Sequence, residues 1–218
     1  MVENSIISCS LFRDIEASSV DALINCLRAT KRSYKKAEFV FHADSMASSV
    51  GIVESGSVNV IQEDYWGNRT ILAHLKPGEL FGEAYSCAPE QRLPVSVVAT
   101  EDTSILLLDY RKIISSCPSS CAFHARLIAN MLHIVASNNI RLTKKLEHVS
   151  KKTLREKLLS FLSSEAVHSS NSTITVPFDR QELAEYLCVD RSALSRELSS
   201  MKRDGIITYK KNHFTLLQ

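Results

Sequence analysis

A chain of 218 residues with 44% hydrophobic and 23% charged content has enough apolar material for a packed core, which excludes disorder, collagen-like repeats and an acidic solvating tail. Its 26 Lys+Arg nearly balance 24 Asp+Glu, giving +2, which excludes a protein basic throughout. No apolar run approaches the roughly 18 residues of a membrane span, and the start MVENSIISCS lacks a basic segment followed by a long apolar one, so a cytoplasmic protein with no membrane partner is expected. The cysteines (9, 26, 87, 117, 121, 188) are scattered, and free, mostly buried thiols are the default.

Residues 10–31 place Ile15, Val20, Leu23, Ile24 and Leu27 at amphipathic helical spacing, with Ser18 or Ser19 as the cap. From Glu38 to Asp109 short β-branched runs (EFVF, VGIVESGSVNVI, RTILAHL, VSVVAT, SILLLDY) alternate with turn signals at Glu54-Ser55-Gly56, Asp64 to Asn68 and Lys76-Pro77-Gly78. This texture predicts a compact antiparallel β barrel or sandwich. Trp66, in one of these turns, reads as a packing cap.

Ala122 to about His148 then reads as one long helix. The 3-4 spacing of Leu127, Met131, Ile134 and Asn138, continued by Leu142, points to a coiled-coil dimer seam on which Asn138 sets the register. A helix packed only within its own chain is the alternative.

Beyond Ser150 come a helix (KTLREKLLSFLSSEA), a strand (ITVPF), and a pair of short helices, 180–187 and 191–203, joined by Cys188-Val189-Asp190. Two such helices with a short turn make a helix-turn-helix. Asp179 is placed to cap the first, and Asp204-Gly205 stops the second. Two strands flanking Lys210-Lys211-Asn212-His213 complete a basic wing. Leu194, Leu198 and Met201 form the inward stripe of the second helix, turning Arg191, Ser192, Ser195, Arg196 and Ser199 outward. Short polar groups permit close approach to a major groove, and two arginines can donate bidentately to guanine. Arg180, Gln181, Lys202, Lys210 and Lys211 are placed for phosphates. Residues 1–143 carry −2 and residues 144–218 carry +4, so the near-neutral total conceals a basic C-terminal third.

The order of these parts resembles the Crp/Fnr family of bacterial transcription regulators over nearly the whole chain. PGELFGEA (77–84) is similar to the phosphate-cassette turn of the family's cyclic-nucleotide-binding β-roll, NHFTLL (212–217) to the end of its wing, and RQELAEYLCVDRSALSREL (180–198) to its helix-turn-helix without a gap. The resemblance implies an α+β fold: a β-roll sensor of jelly-roll type with its N-terminal helix over 1–116, a dimerisation helix over 117–149, and a winged helix-turn-helix over 150–218. It implies a homodimer on palindromic double-stranded DNA, RNA polymerase as a further partner, and control by a small-molecule or redox signal that shifts the population of recognition-helix placements. By the same match Arg180 contacts the backbone, while Arg191, Ser192, Ser195 and Arg196 take base-reading positions. Ser192 stands where the family often has Glu, so the half-site sequence does not carry over.

In cyclic-AMP-binding members the cassette and an Arg-Ser pair hold the ribose and phosphate. Gly82 and Glu83 match the cassette, but Leu93 and Pro94 occupy the Arg-Ser positions. A phosphate there would lack a cation, which disfavours cyclic AMP. The cassette is then plain architecture or adapted to another small ligand. Asn138 and Asn139 fall where the family's long helix meets the base, and either line a pocket or, for Asn138, pair across the seam.

Cys9 and Cys26 are too far apart for the family's N-terminal iron-sulfur cluster, and the histidines show no metal-binding spacing, which disfavours haem. Cys87, Cys117 and Cys121 are candidates for a thiol switch against the default of inert core thiols. No P-loop, nucleophile elbow or dinucleotide fingerprint is present, so no enzyme is expected. The rival reading is a cyclic-nucleotide-binding regulatory subunit that is not a transcription factor. Such a subunit has no use for Arg191 and Arg196 on an exposed helix.

Overall fold

The computed structural model describes residues 4–46, 49–86, 92–114, 123–169 and 173–217. The chain divides into two compact units, Met1–Glu63 with Leu72–Asn139, and Asp64–Ile71 with Ile140–Gln218.

The first unit opens with α1 (Asn4–Ile7), a 3-10 turn (Ser10–Phe12) and α2 (Ala17–Cys26). α2 begins before the expected serine cap. Its N-cap is Glu16, which makes no side-chain cap bond, and Ser18 donates its hydroxyl to that carboxylate instead. Strands β1 (Thr30–Tyr34), β2 (Phe39–Phe41), β3 (Ser49–Ser55), β4 (Val58–Glu63), β5 (Arg69–Leu75), β6 (Leu80–Phe81), β7 (Ser96–Ala99) and β8 (Thr103–Asp109) follow, with α3 (Glu83–Ser86) after β6. They form two four-stranded sheets, ordered β1-β8-β3-β6 and β2-β7-β4-β5. α4 (Tyr110–Ile114) and the long α5 (Phe123–Val149) complete the N-terminal elements.

Both faces of the first sheet are covered. Val53, Phe81 and Ile105 meet Val58, Leu75 and Val97 of the second sheet in one apolar core. Val50, Ile52, Leu80, Leu106 and Leu108 join the other core, with Leu11, Phe12, Val20 and Leu23 and with Leu127, Met131 and Ile134 of α5. Two covered faces account for unbroken apolar runs such as SILLLDY, where a half-exposed strand would alternate. Gly51 of β3 sits beneath the Phe81 ring, and a Cβ there would overlap it. β1 (TKRSY) escapes sequence reading because it is polar and largely exposed, as an edge strand can be.

The core position of α5 corrects the expected dimer seam. Leu127, Met131 and Ile134 are 0%, 5% and 8% exposed, consumed by their own chain's core. The apolar side chains that α5 leaves exposed include Ile128, Leu132, Val135, Leu142 and Leu146. Of the expected seam leucines, Leu142 alone remains outward.

In the second unit α6 (Leu154–Ser169) and β9 (Thr173–Thr175) precede α7 (Arg180–Leu187), α8 (Arg191–Arg203), β10 (Ile207–Lys210) and β11 (His213–Leu216). The three strands form one antiparallel sheet, β10-β11-β9. Leu158, Leu162, Leu183, Leu187, Leu194, Leu198 and Phe214 of β11 are fully buried in this unit. Residues 64–71 are fastened to this unit. Lys145 donates its ammonium to the Ile71 carbonyl and lies 4.5 Å from the centroid of the Tyr186 ring. Arg69 Nε lies 3.5 Å from Glu185 Oε2. Burial without a carboxylate bond lowers Lys145 from its ordinary value to about 8.

The hairpin turn ahead of Arg69 is held by Asp64, whose carboxylate accepts from Trp66 N, Asn68 N and Asn68 Nδ2 at 2.8–2.9 Å. Trp66 is 82% exposed and so is not the packing cap expected of it.

Candidate nucleic-acid interface

Local chemistry fixes the two helices. Asp179 Oδ1 accepts from Glu182 N at 2.8 Å while Asp179 N donates to Glu182 Oε2 at 2.9 Å, a complete capping box at the start of α7. Cys188 ends α7 in the left-handed region at φ 54°, which turns the chain sharply. Asp190 then caps α8 by accepting from Ala193 N at 2.8 Å.

Leu194, Leu198 and Met201 are fully buried, and Arg191, Ser192, Ser195, Arg196 and Ser199 are exposed together on the opposite side. The serines differ in what they can offer. Ser195 donates its hydroxyl to the Arg191 carbonyl at 3.0 Å, and Ser199 to that of Ser195 at 2.9 Å. Their protons are spent on the helix backbone, which leaves them as short side chains with spare acceptor capacity. Arg191 and Arg196 form no ion pair among the described residues.

The expected phosphate contacts separate into two groups. Lys210 and Lys211 are exposed at the wing turn, and Lys202 is exposed with its ammonium 5.4 Å from the Tyr209 ring centroid. Arg180 is half-buried: its guanidinium lies 4.9 Å and 5.0 Å from the Tyr209 and Phe214 ring centroids and donates to the Lys211 carbonyl at 2.8 Å. Arg180 thus braces the wing against α7. Gln181 donates to Glu185 at 3.0 Å.

In the β-roll Gly82 turns the chain at φ +84° into α3, where Glu83 is 6% exposed. Asn138 of α5 donates to Glu83 Oε1 at 2.6 Å, so its partner lies in its own chain. Sequence reading gives Asn138 either a place in a pocket or a partner across the seam, and in the structure its amide is engaged by the cassette carboxylate. Leu93 is buried and Pro94 exposed, while Arg92 donates to the Asp44 carbonyl at 3.0 Å. Asn139 is exposed.

Among the described residues no cluster of His, Cys, Asp or Glu is arranged to hold a metal ion. Cys87, Cys117 and Cys121 lie outside the described residues. Of the described cysteines Cys9 is buried, its thiol pushed up to about 11 by burial, whereas Cys26 and Cys188 are exposed because each closes a helix at the surface. The expectation of mostly buried thiols therefore fails for these two. Arg155 and Lys145 escape sequence reading, since nothing in their local sequence marks partners 41 to 74 positions away.

A β-roll followed by a long helix and a winged helix-turn-helix defines a class of DNA-binding transcription regulators. Residues 31–120 match the cyclic nucleotide-binding domain and residues 156–218 the Crp-like helix-turn-helix domain. The chain belongs to the Crp/Fnr family of transcription regulators, whose members are regulators rather than enzymes. It is 32% identical over 125 residues to the cyclic AMP receptor protein of Thermus thermophilus, a match spanning 56% of each protein and so little more than half of that relative. It is 26% identical over 193 residues to the transcriptional activator protein FnrL of Cereibacter sphaeroides, covering 84% of this chain and 74% of that one. Among solved structures, the c-di-GMP responsive global regulator CLP of Xanthomonas campestris has a TM-score of 0.77 at 17% identity, over 93% of this chain and 100% of that one, which shows the shared fold. No helix among the described residues is long and apolar enough to cross a membrane.

Proposed function

We propose that this regulator works as a cytoplasmic homodimer that reads a palindromic site through α8, with a sensor over residues 1–116, a dimerisation helix over 117–149 and a DNA-binding domain over 150–218. The observation that carries this reading is the α8 face itself: Arg191, Ser192, Ser195, Arg196 and Ser199 are exposed in one row above a fully buried Leu194, Leu198 and Met201. Arg191 and Arg196 would donate to guanine edges, and Lys202, Lys210 and Lys211 would meet phosphates. RNA polymerase is the further partner of a regulator of this kind.

The second copy would meet the exposed apolar row of α5. Ile128, Leu132, Val135, Asn139, Leu142 and Leu146 alternate steps of four and three residues, the spacing of a coiled-coil seam. Asn139 takes the polar position that sets register in such seams.

Control would come from a small ligand or redox signal at the β-roll. The relative from Thermus thermophilus is a cyclic AMP receptor by name. Here, however, a phosphate beside the cassette would meet buried Leu93 and exposed Pro94, with Arg92 engaged by the Asp44 carbonyl. A bound phosphate needs charge-assisted donors, so the effector would be other than cyclic AMP. Titration calorimetry with cyclic AMP is expected to show no tight binding, and micromolar affinity would contradict this part.

Enrichment of duplexes from a randomised library tests the whole reading. The expected product is a palindrome with half-sites about one DNA turn apart, ~34 Å. Absence of any enriched sequence would contradict it.

A further inference from the structure

α6 begins with its own capping box: Thr153 Oγ1 accepts from Glu156 N at 3.2 Å, and Thr153 N donates to Glu156 Oε2 at 3.0 Å. The first turn of α6 is therefore fixed, and Arg155 projects from it. Its Nε donates to Glu197 Oε1 at 2.6 Å. Its Nη2 donates to Ser200 Oγ at 3.1 Å and lies 2.7 Å from Asp204 Oδ2. All three acceptors belong to the last turns of α8 and its C-cap. At 3.6 residues per turn they fall on the flank turned away from Arg191, Ser195 and Ser199.

We infer that Arg155 is a positioning residue for DNA recognition, a clasp behind α8 that sets the rotation at which its reading face is presented. The inference rests on the proposed reading of bases by that face. Partly exposed ion pairs contribute little to stability, and Arg155, Glu197 and Asp204 are 37%, 25% and 43% exposed. What the cluster supplies is direction. A guanidinium is a planar, rigid fork, and bonds from one plane to three acceptors oppose both rolling and sliding of the helix that carries them. A roll of about 15° would move a group about 6 Å from the helix axis by about 1.5 Å, beyond the tolerance of a base-edge hydrogen bond. The apolar stripe of Leu194, Leu198 and Met201 holds α8 in place but is non-directional. Lysine, a point charge on a flexible stem, could keep one of the three contacts and not the plane.

The test uses the full-length protein, the duplex that wild type enriches most from a randomised library, and a scrambled duplex of equal composition. Arg155→Lys is expected to lose about ten-fold in affinity for the enriched duplex, the scale of one bidentate base contact. Affinity for the scrambled duplex, the salt dependence of binding and the thermal midpoint should stay close to wild type. Glu197→Gln, which keeps the shape of its side chain, should show the same selective loss. Full discrimination by either folded variant would overturn the proposal, as would an equal loss on both duplexes. If Arg155→Lys does not fold, Glu197→Gln decides between the same two results. A wild-type protein that enriches no sequence overturns the DNA reading itself and the role of Arg155 with it, whereas enrichment by wild type with unchanged variants overturns the role of Arg155 alone.

Discussion

Asn138 donates to Glu83 at 2.6 Å across 55 positions of sequence, tying the long helix to the cassette turn within a single chain. Glu83 is 6% exposed, so this amide answers a carboxylate that water reaches poorly. Asn138→Leu should therefore destabilise the fold by about 1–3 kcal/mol, the cost of leaving a buried acceptor unmade. A double variant with Glu83→Leu should recover part of that loss, since both polar partners are then gone. Urea unfolding of the three variants checks this, and additive losses would contradict a direct bond.

Lys145 gives the C-terminal unit a pH dependence with a definite sign. Its folded value is lowered to about 8 by burial, against an ordinary value of 10.5. Between these values the unfolded chain binds the proton and the folded one releases it, so stability rises with pH across this window. Below about pH 8 both states are charged and the folded state carries the desolvation cost in full. Lys145→Met removes the charge and should abolish the rise. Thermal midpoints of both proteins from pH 7 to 9.5 check it, and parallel curves would contradict it.

The proposed dimer seam and the core-facing stripe are neighbours on α5, and two substitutions tell them apart. Leu132→Glu, at a side chain 67% exposed in the chain alone, should give a folded monomer by analytical ultracentrifugation. Leu127→Glu, at a fully buried site, should instead impair folding of the β-roll. A dimeric Leu132→Glu would contradict this placement.

Cys188 adopts φ 54° and ψ 54° at the end of α7. A side chain is strained there and glycine is not, so Cys188→Gly should stabilise the domain by about 0.5–1 kcal/mol. A lower urea midpoint for Cys188→Gly would contradict this.

How far the fold was legible follows the range of the interactions that make it. The helix-turn-helix reads well because Asp179, Glu182, Asp190 and Ala193 act over three residues, and because Leu194, Leu198 and Met201 repeat at one helical period. The β-roll shows in its apolar runs, except for polar β1. The stripe of Leu127, Met131 and Ile134 reads as a seam in sequence and is core in the structure for a physical reason: a 27-residue helix carries two adjacent apolar stripes of the same spacing. Only the sheet beneath Leu127, Met131 and Ile134 decides which is core. Arg180 reads as a phosphate contact in sequence because Tyr209 and Phe214, which hold it, lie about thirty residues downstream. The clasp of Arg155 on Glu197 spans 42 positions and leaves no local mark.

The most direct measurement compares wild type and Arg196→Ala on the enriched duplex, on versions changed at each half-site guanine, and on random DNA. Arg196→Ala is expected to lose about 1–3 kcal/mol of discrimination at one guanine in each half-site while binding random DNA nearly as wild type does. An equal loss on specific and random DNA would contradict base reading by α8.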